Sequence, residues 1–131
     1  MTLTIETRPA QSFKTTRHTL PAPTEMAAFS QAKTAASAHV TSGTYVAANA
    51  NLEGHQYYFV EDAAGDETYT LPGGDYAVFT GESDTPQLAY NTVAHAYGTI
   101  AQDGDWNVAG NFNLESYDHG QLTAYIPVTK A

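Results

Sequence analysis

The sequence of 131 residues contains no cysteine, which excludes disulfide bonds, cysteine nucleophiles and thiolate metal sites. Basic residues are scarce as well: five Lys and Arg stand against 14 Asp and Glu, for a formal net charge of -9. A surface of this sign repels phosphate backbones, so we expect no direct nucleic-acid binding. It favours cationic small molecules or basic proteins, although solubility alone also explains an acidic surface.

Long hydrophobic runs are missing too. No apolar stretch approaches the ~20 residues that span a bilayer, and the N-terminal MTLTIETRPA lacks the basic and apolar segments of a signal peptide. We therefore expect a cytoplasmic protein without a membrane partner. A chain of 131 residues suffices for one domain with its own core, and we predict a single domain over residues 1–131.

Tyrosine, in contrast, is abundant, with nine Tyr and five Phe beside one Trp. Its apolar ring and hydroxyl suit ligand pockets, and strands favour it as well. Alternating apolar and polar residues predict strands along the whole chain. In order, these strands cover TLTIETR, QSFKTTRHT, TYVAANA, HQYYFVEDA, a stretch centred on Tyr76 to Thr80, residues 111–117 and residues 121–128.

Two helices interrupt these strands. The first is predicted over residues 24–40, with Thr24 as the cap after Pro23. Its mostly apolar stripe consists of Met26, Phe29, Lys33, Ala36 and Val40. The second begins at Asp84 or Thr85, has Pro86 in its first turn and ends at QDGDW. Its buried stripe consists of Ala89, Val93, Ala96, Tyr97 and Ile100.

The order strand, helix, strand, strand thus occurs twice, which indicates an α+β fold with a loose internal duplication. The second half resembles the GyrI-like small-molecule-binding domain, the effector-binding half of many AraC-type and MerR-type transcription regulators. The resemblance is carried by TLPGGDYAVFTG, AYNTVAHAYGTIAQ, the following Trp106, NFNLESYD and LTAYIPV. It is good over residues 70–128, and over residues 1–60 it rests on the order of elements.

This resemblance implies two pseudo-repeated strand-helix-strand-strand units that form one curved antiparallel sheet with both helices on one face. Ligands would bind in a groove on the other face. Members of the family often bind lipophilic cations and act in multidrug binding. An acid at the position of Glu115 would serve as the counter-ion inside an aromatic pocket.

The alternation of the last two strands gives Glu115 a predicted face. Phe112 and Leu114 would lie under the helices together with Leu122, Ala124, Ile126 and Val128. Glu115, Tyr117 and Tyr125 would share the opposite face, where charge and aromatic rings both attract an organic cation. Because burial disfavours the charged form, we expect the pKa of Glu115 to be raised in the empty site.

Further tyrosines and the tryptophan are candidates for the same pocket. Tyr76 follows the Gly-Gly turn, and Tyr90 and Trp106 lie beside the groove by analogy with the family. Tyr45, Tyr57 and Tyr58 could complete the wall, but alternation leaves their faces open. For each of these six residues, ordinary core packing explains the sequence equally well.

Three functions compete. The first is a stand-alone protein that senses or sequesters a hydrophobic, cationic ligand, alone or with a separate regulator protein. The second is a hydrolase of reactive electrophiles, with Glu115 as base or nucleophile and Tyr117 or Tyr125 as proton donor. The third is an interaction module that docks on gyrase. The five scattered histidines form no ligand motif, and we predict neither a metal site nor a cofactor.

Overall fold

A computed structural model describes residues 3–21 and 24–131, with the exception of the Met26 side chain. Within these residues the chain forms nine strands and two helices. The strands are β1 Ile5–Arg8, β2 Gln11–Thr19, β3 Thr44–Leu52, β4 His55–Glu61, β5 Glu67–Leu71, β6 Gly74–Glu82, β7 Trp106–Val108, β8 Phe112–Asp118 and β9 Gln121–Lys130. The helices are α1 Met26–Ala36 and α2 Pro86–Gln102. No helix in the described part of the chain has the length and apolarity to cross a membrane.

The strands pair in the order β1-β6-β9-β8-β3-β4-β2-β5, all antiparallel, and β7 adds to the end of β9. In a flat sheet β5 and β6 would lie ~29 Å apart, six steps of ~4.8 Å. Only Pro72 and Gly73 separate them in the chain, and three Cα–Cα steps of ~3.8 Å reach ~11 Å at most. The sheet must therefore curl until its two ends approach each other.

The curl encloses one face of the sheet, which we call the inner face. Its buried residues come from β2, β3, β4, β5, β6 and β8 and form one cluster. They are Phe13, Ala48, Ala50, Phe59, Leu71, Tyr76 and Leu114. Leu71 and Tyr76 belong to strands far apart in the sheet order, so their shared cluster follows from the curl.

Both helices cover the opposite face, which we call the helix face. Helix α1 packs through Phe29 and Ala36 onto a cluster that contains Ala47, Tyr58 and Val60. Helix α2 packs through Ala96 and Ile100 onto Ala77, Ile126 and Val128. An α+β fold with a curved antiparallel sheet and two helices on one face is thus confirmed, and the duplication of two units stays a prediction.

Element boundaries differ from the predictions mainly in the first half. Helix α1 ends at Ala36 instead of residue 40, because the amides of Ala38 and Val40 donate to carbonyls three residues earlier, those of Ala35 and Ser37, instead of making the i→i−4 bonds of an α-helix. Its N-cap is Glu25, which makes no capping bond with its side chain. The predicted Thr24 cap is therefore wrong, and the preceding Pro23 lies outside the described residues.

The second helix begins as predicted. The Thr85 hydroxyl oxygen accepts a hydrogen bond from the Leu88 amide at 3.2 Å, and Pro86 opens the first turn. Strands β5 and β7 were not predicted as separate elements. Strand β5 ends directly at the Pro-Gly-Gly segment, whose turn signal masked the strand before it, and β7 has only three residues.

Candidate functional site

Strand β8 carries one buried carboxylate, and its side chain points toward the helices. Glu115 pairs with Ala47 of β3 and with Ala124 of β9, whereas Leu114 pairs with Tyr125. Since directly paired residues share a face, Glu115 lies on the helix face, and Leu114 and Tyr125 lie on the inner face. The prediction that Tyr125 accompanies Glu115 on the face away from the helices is therefore wrong.

The physical reason is that both faces of the curled sheet are buried. An apolar residue indicates that its face of the sheet is covered. Here the helices cover one face, and the curl of the sheet covers the other. Phe112 and Leu114 belong to that inner cluster instead of packing under the helices. The groove expected on the inner face is filled by this cluster, and the space around Glu115 opens on the helix face.

The side chain of Glu115 is completely buried, and four side chains donate hydrogen bonds to its carboxylate. Oε1 accepts from the hydroxyls of Tyr58 at 2.8 Å and Tyr117 at 2.6 Å. Oε2 accepts from the amide of Asn49 at 2.7 Å and the ammonium of Lys33 at 2.5 Å. These donors occupy the roughly four lone-pair sites of a carboxylate. Glu115 is therefore ionised and fully bonded.

The environment of Glu115 shifts its pKa in a direction opposite to the prediction. Burial raises the pKa, but the charge of Lys33 and the hydrogen bonds from Lys33, Tyr117 and Tyr58 outweigh it, so the pKa lies below its ordinary value of 4.5. Burial, with the added charge of Glu115, raises the pKa of Tyr58 and Tyr117 well above 10.0. Both hydroxyls therefore stay protonated as donors. The expected raised pKa is wrong because the protein supplies its own cation.

This shift predicts a pH-dependent contribution to stability. A carboxyl group whose pKa is lowered on folding stabilises the protein above its unfolded pKa of 4.5 and loses that contribution as pH falls through the folded pKa. Wild type should have a higher free energy of unfolding than Glu115→Gln. We expect this difference to shrink as the pH falls from about 6 to about 3. Urea denaturation at several pH values measures it.

A matched control lies on the same strand. Asp118 carries a carboxylate that is 75 % exposed. We expect Asp118→Asn to change the free energy of unfolding by no more than about 0.5 kcal/mol at every pH in the series. If the difference in free energy of unfolding between wild type and Glu115→Gln stays constant across the pH series, the lowered pKa of Glu115 is contradicted.

Lys33 reaches Glu115 from helix α1. Its side chain is 12 % exposed, and its ammonium lies 4.9 Å from the centre of the Tyr58 ring and 5.5 Å from that of Phe29. Cation–π attraction therefore adds to the ion pair. Sequence reasoning missed this role. The available signal was a single cation within the apolar stripe of α1, which needs a buried anion opposite it.

Two cavities flank the Lys33–Glu115 pair, between the helices and the sheet. The larger has a volume of about 410 Å³ and is lined by Asn49, Tyr97 and Glu115 among others. The smaller, of about 300 Å³, is lined by Tyr45, Tyr58 and Tyr117 among others. Both volumes fall within or at the edge of the ~300–1,000 Å³ of small-molecule sites.

The two cavities share three residues. Phe29 and Lys33 of α1 and Tyr90 of α2 line both. The rings of Phe29 and Tyr90 meet edge to face, with centroids 6.2 Å apart. These three residues therefore lie at the boundary between the two cavities.

Two buried asparagine amides continue the hydrogen-bond network of Glu115 along the floor of the larger cavity. The Asn49 amide donates to Oδ1 of Asn113 at 2.9 Å, and the Asn113 amide donates to the hydroxyl oxygen of Tyr97 at 2.9 Å. Sequence reasoning missed both asparagines. Asparagine inside a strand is unusual, and the presence of Asn49 and Asn113 within predicted strands was the available signal.

The structure brings three of the predicted site residues together at the cavities: Glu115, Tyr117 and Tyr90. Tyr45 and Tyr58 from the first half join them, and the Tyr45 ring stacks on Tyr117 at 4.6 Å. The first-half residue that lies elsewhere is Tyr57, which packs against the inner cluster.

The other three predicted residues lie elsewhere. Tyr76 is buried in the inner cluster, where its hydroxyl donates to the Pro72 carbonyl. Tyr125 packs beside the same cluster, with the Arg8 guanidinium 4.2 Å above its ring. Trp106 packs at the end of α2, and it is not among the described residues that line either cavity.

Comparison with known proteins identifies a protein family that the sequence matches. A family model described as Cass2, integron-associated effector binding protein, matches residues 5–128 of the chain. No match was found among curated proteins.

Two solved structures share the fold. One is the integron cassette protein VCH_CASS2 from the mobile metagenome of Vibrio cholerae, with a TM-score of 0.65 at 15 % identity, over 97 % of this chain and 95 % of that one. The other is SAV2435 bound to tetraphenylphosphonium, with a TM-score of 0.67 at 15 % identity, over 98 % and 94 % of the two chains.

Proposed function

We propose that this chain, which belongs to the family of integron-associated effector-binding proteins, binds a hydrophobic organic cation between its helices and its sheet. Glu115 would be the charge partner of that cation. The observation that carries the proposal is a completely buried carboxylate beside two aromatic-lined cavities, with a flexible lysine as its charged partner. Its role would be to sense or sequester the ligand, alone or beside a separate regulator, as GyrI-like domains do.

Lys33 stands in for the cation of the ligand when the site is empty. A buried carboxylate without a partner is strongly unfavourable, and Lys33 supplies that partner from the edge of the site. Its four-carbon stem is flexible and its ammonium is strongly hydrated in water. An incoming cation can therefore take its place on Glu115 while Lys33 returns to solvent.

The exchange favours a particular kind of cation. One charge replaces another on Glu115, so the net gain must come from apolar area, aromatic contacts and a low desolvation penalty for the ligand. A cation with charge spread over a large apolar body is weakly hydrated and meets all three conditions. The rings of Phe29, Tyr58 and Tyr90 around Lys33 are the surfaces that it would contact.

The ligand of SAV2435 supports this class of compound. That protein shares the fold and is bound to tetraphenylphosphonium, a cation whose charge is shielded by four aromatic rings. The hydrolase alternative gains no comparable support. A general base or nucleophile needs a free lone pair, and each oxygen of Glu115 accepts two hydrogen bonds.

Tetraphenylphosphonium and tetraphenylborate test the proposal as a matched pair, because they share shape and apolar area and differ in charge. We expect isothermal titration to show binding of the phosphonium at least about ten-fold tighter than that of the borate, a difference of about 1.4 kcal/mol. Equal binding of the two ions would show that the site does not recognise charge, and tighter binding of the borate would assign the recognition to Lys33. Either result would overturn the proposed cation preference.

A further inference from the structure

One acceptor at the floor of the larger cavity has no partner. The side chain of Asn49 is buried, with 4 % of the residue exposed, and its Oδ1 receives no hydrogen bond among the described residues. Its Nδ2, in contrast, donates twice, to Oδ1 of Asn113 at 2.9 Å and to Oε2 of Glu115 at 2.7 Å. A buried carbonyl oxygen without a donor is unfavourable, so its presence calls for an explanation.

Exchanging the oxygen and nitrogen of the Asn49 amide does not remove the problem. The ionised Glu115 carboxylate only accepts hydrogen bonds, so the Asn49 atom that faces it must be the nitrogen. The Asn113 amide already directs its own nitrogen to Tyr97, which leaves its oxygen toward Asn49. The network therefore fixes Oδ1 as the atom without a partner.

The position of Asn49 relates its unpaired oxygen to the ligand. Asn49 lines the cavity of about 410 Å³ and is not among the described residues of the smaller one. Its amide nitrogen shares Oε2 of Glu115 with the ammonium of Lys33. A cation that takes the place of Lys33 on Oε2 from the larger cavity therefore arrives beside Asn49.

We propose that the site selects protonated amines over quaternary cations, with Asn49 Oδ1 as the acceptor of the N–H group. The inference rests on the proposed function, since the charge of the amine pairs with Glu115. A quaternary cation has no N–H donor and leaves Oδ1 without a partner. A protonated tertiary amine of the same skeleton has one N–H, which satisfies Oδ1 while the charge stays close to the carboxylate.

The test compares diphenylmethyl-dimethylamine, protonated at about pH 6, with its N-methylated quaternary salt, by isothermal titration. We expect the amine to bind the wild-type protein about ten-fold more tightly, the effect of one hydrogen bond to a charged group. Equal binding of the two, or tighter binding of the quaternary salt, would overturn the inference. This ratio is measured on the wild-type protein and needs no variant.

Two variants assign the preference to Asn49. Asn49→Leu removes the acceptor, and we expect the two ligands to bind it equally. Asn107→Leu is the matched control, since it makes the same change at an exposed position of β7 that lines neither cavity and leaves Asn49 Oδ1 in place. Its ratio should stay near ten-fold. A ratio that survives in Asn49→Leu would place the acceptor elsewhere and overturn the inference.

The outcomes separate this inference from the proposed function. If tetraphenylphosphonium binds and the two diphenylmethyl ligands bind as tightly as each other, only the role of Asn49 is contradicted. Failure of all three cations to bind would contradict the proposed function and the inference together.

Discussion

Lys33→Met is expected to destabilise the empty protein and to tighten its binding of tetraphenylphosphonium. The substitution keeps most of the apolar stem and removes the ammonium that neutralises Glu115. Breaking a buried ion pair by removing one partner costs about 3–5 kcal/mol. Because Lys33 is 12 % exposed and three neutral donors remain on Glu115, we expect a loss of about 2–4 kcal/mol.

The same substitution improves binding because the ligand no longer competes with a resident cation. Part of the free energy lost from the empty protein is recovered when a cation reaches Glu115. We expect tetraphenylphosphonium to bind Lys33→Met about 10- to 100-fold more tightly than wild type, equivalent to about 1.4–2.7 kcal/mol. Urea denaturation and isothermal titration measure the two effects on the same samples.

The opposite signs of these effects make the prediction specific. A lysine with a purely structural role would weaken stability and binding together, and that result would contradict the exchange of cations. Lys14→Met provides the control, since it makes the same chemical change at an exposed position of β2. It should alter the free energy of unfolding by less than about 0.5 kcal/mol and leave binding unchanged.

Glu115→Gln should produce the largest loss of binding. The amide keeps the shape of the side chain and removes the charge that a cationic ligand would meet. Truncation of one partner in a buried charge pair costs about 2–5 kcal/mol, so we expect an affinity for tetraphenylphosphonium at least about 30-fold weaker than that of wild type. Titration of the variant and of wild type under the same salt conditions measures the ratio.

Asp118→Asn is the control for overall charge. It also removes one negative charge from β8, at an exposed position. Its affinity for tetraphenylphosphonium should stay within about two-fold of wild type, because exposed charges are screened by water and salt. Equal binding by wild type and Glu115→Gln would show that Glu115 is not the charge partner.

Much of the fold was predictable because local signals and tertiary structure agree. Thr85 and Pro86 marked the start of α2, and the alternation in β8 and β9 placed both strands. The face of Glu115 was not predictable from alternation, because that pattern separates the two sides of a strand without naming the side that faces the helices. Here both sides are buried, so the polarity of Leu114 and Glu115 could not distinguish them.

The site depends on contacts between residues far apart in the chain. Lys33 and Glu115 are separated by 82 positions, and Asn49 and Glu115 by 66. Each residue is unusual where it stands: a lysine in an apolar helical stripe, an asparagine and a glutamate within strands. Sequence reasoning identified the glutamate through the family resemblance. Its partners required the register of β3 with β8 and the position of α1 over the sheet.

A crystal structure of the wild-type protein with tetraphenylphosphonium tests the exchange of cations most directly. We expect the phosphonium between α1, α2 and the helix face, in the space beside Glu115, with the Lys33 ammonium withdrawn from the carboxylate toward solvent. A complex in which the Lys33–Glu115 pair persists and the ligand occupies another surface would contradict the role assigned to both residues.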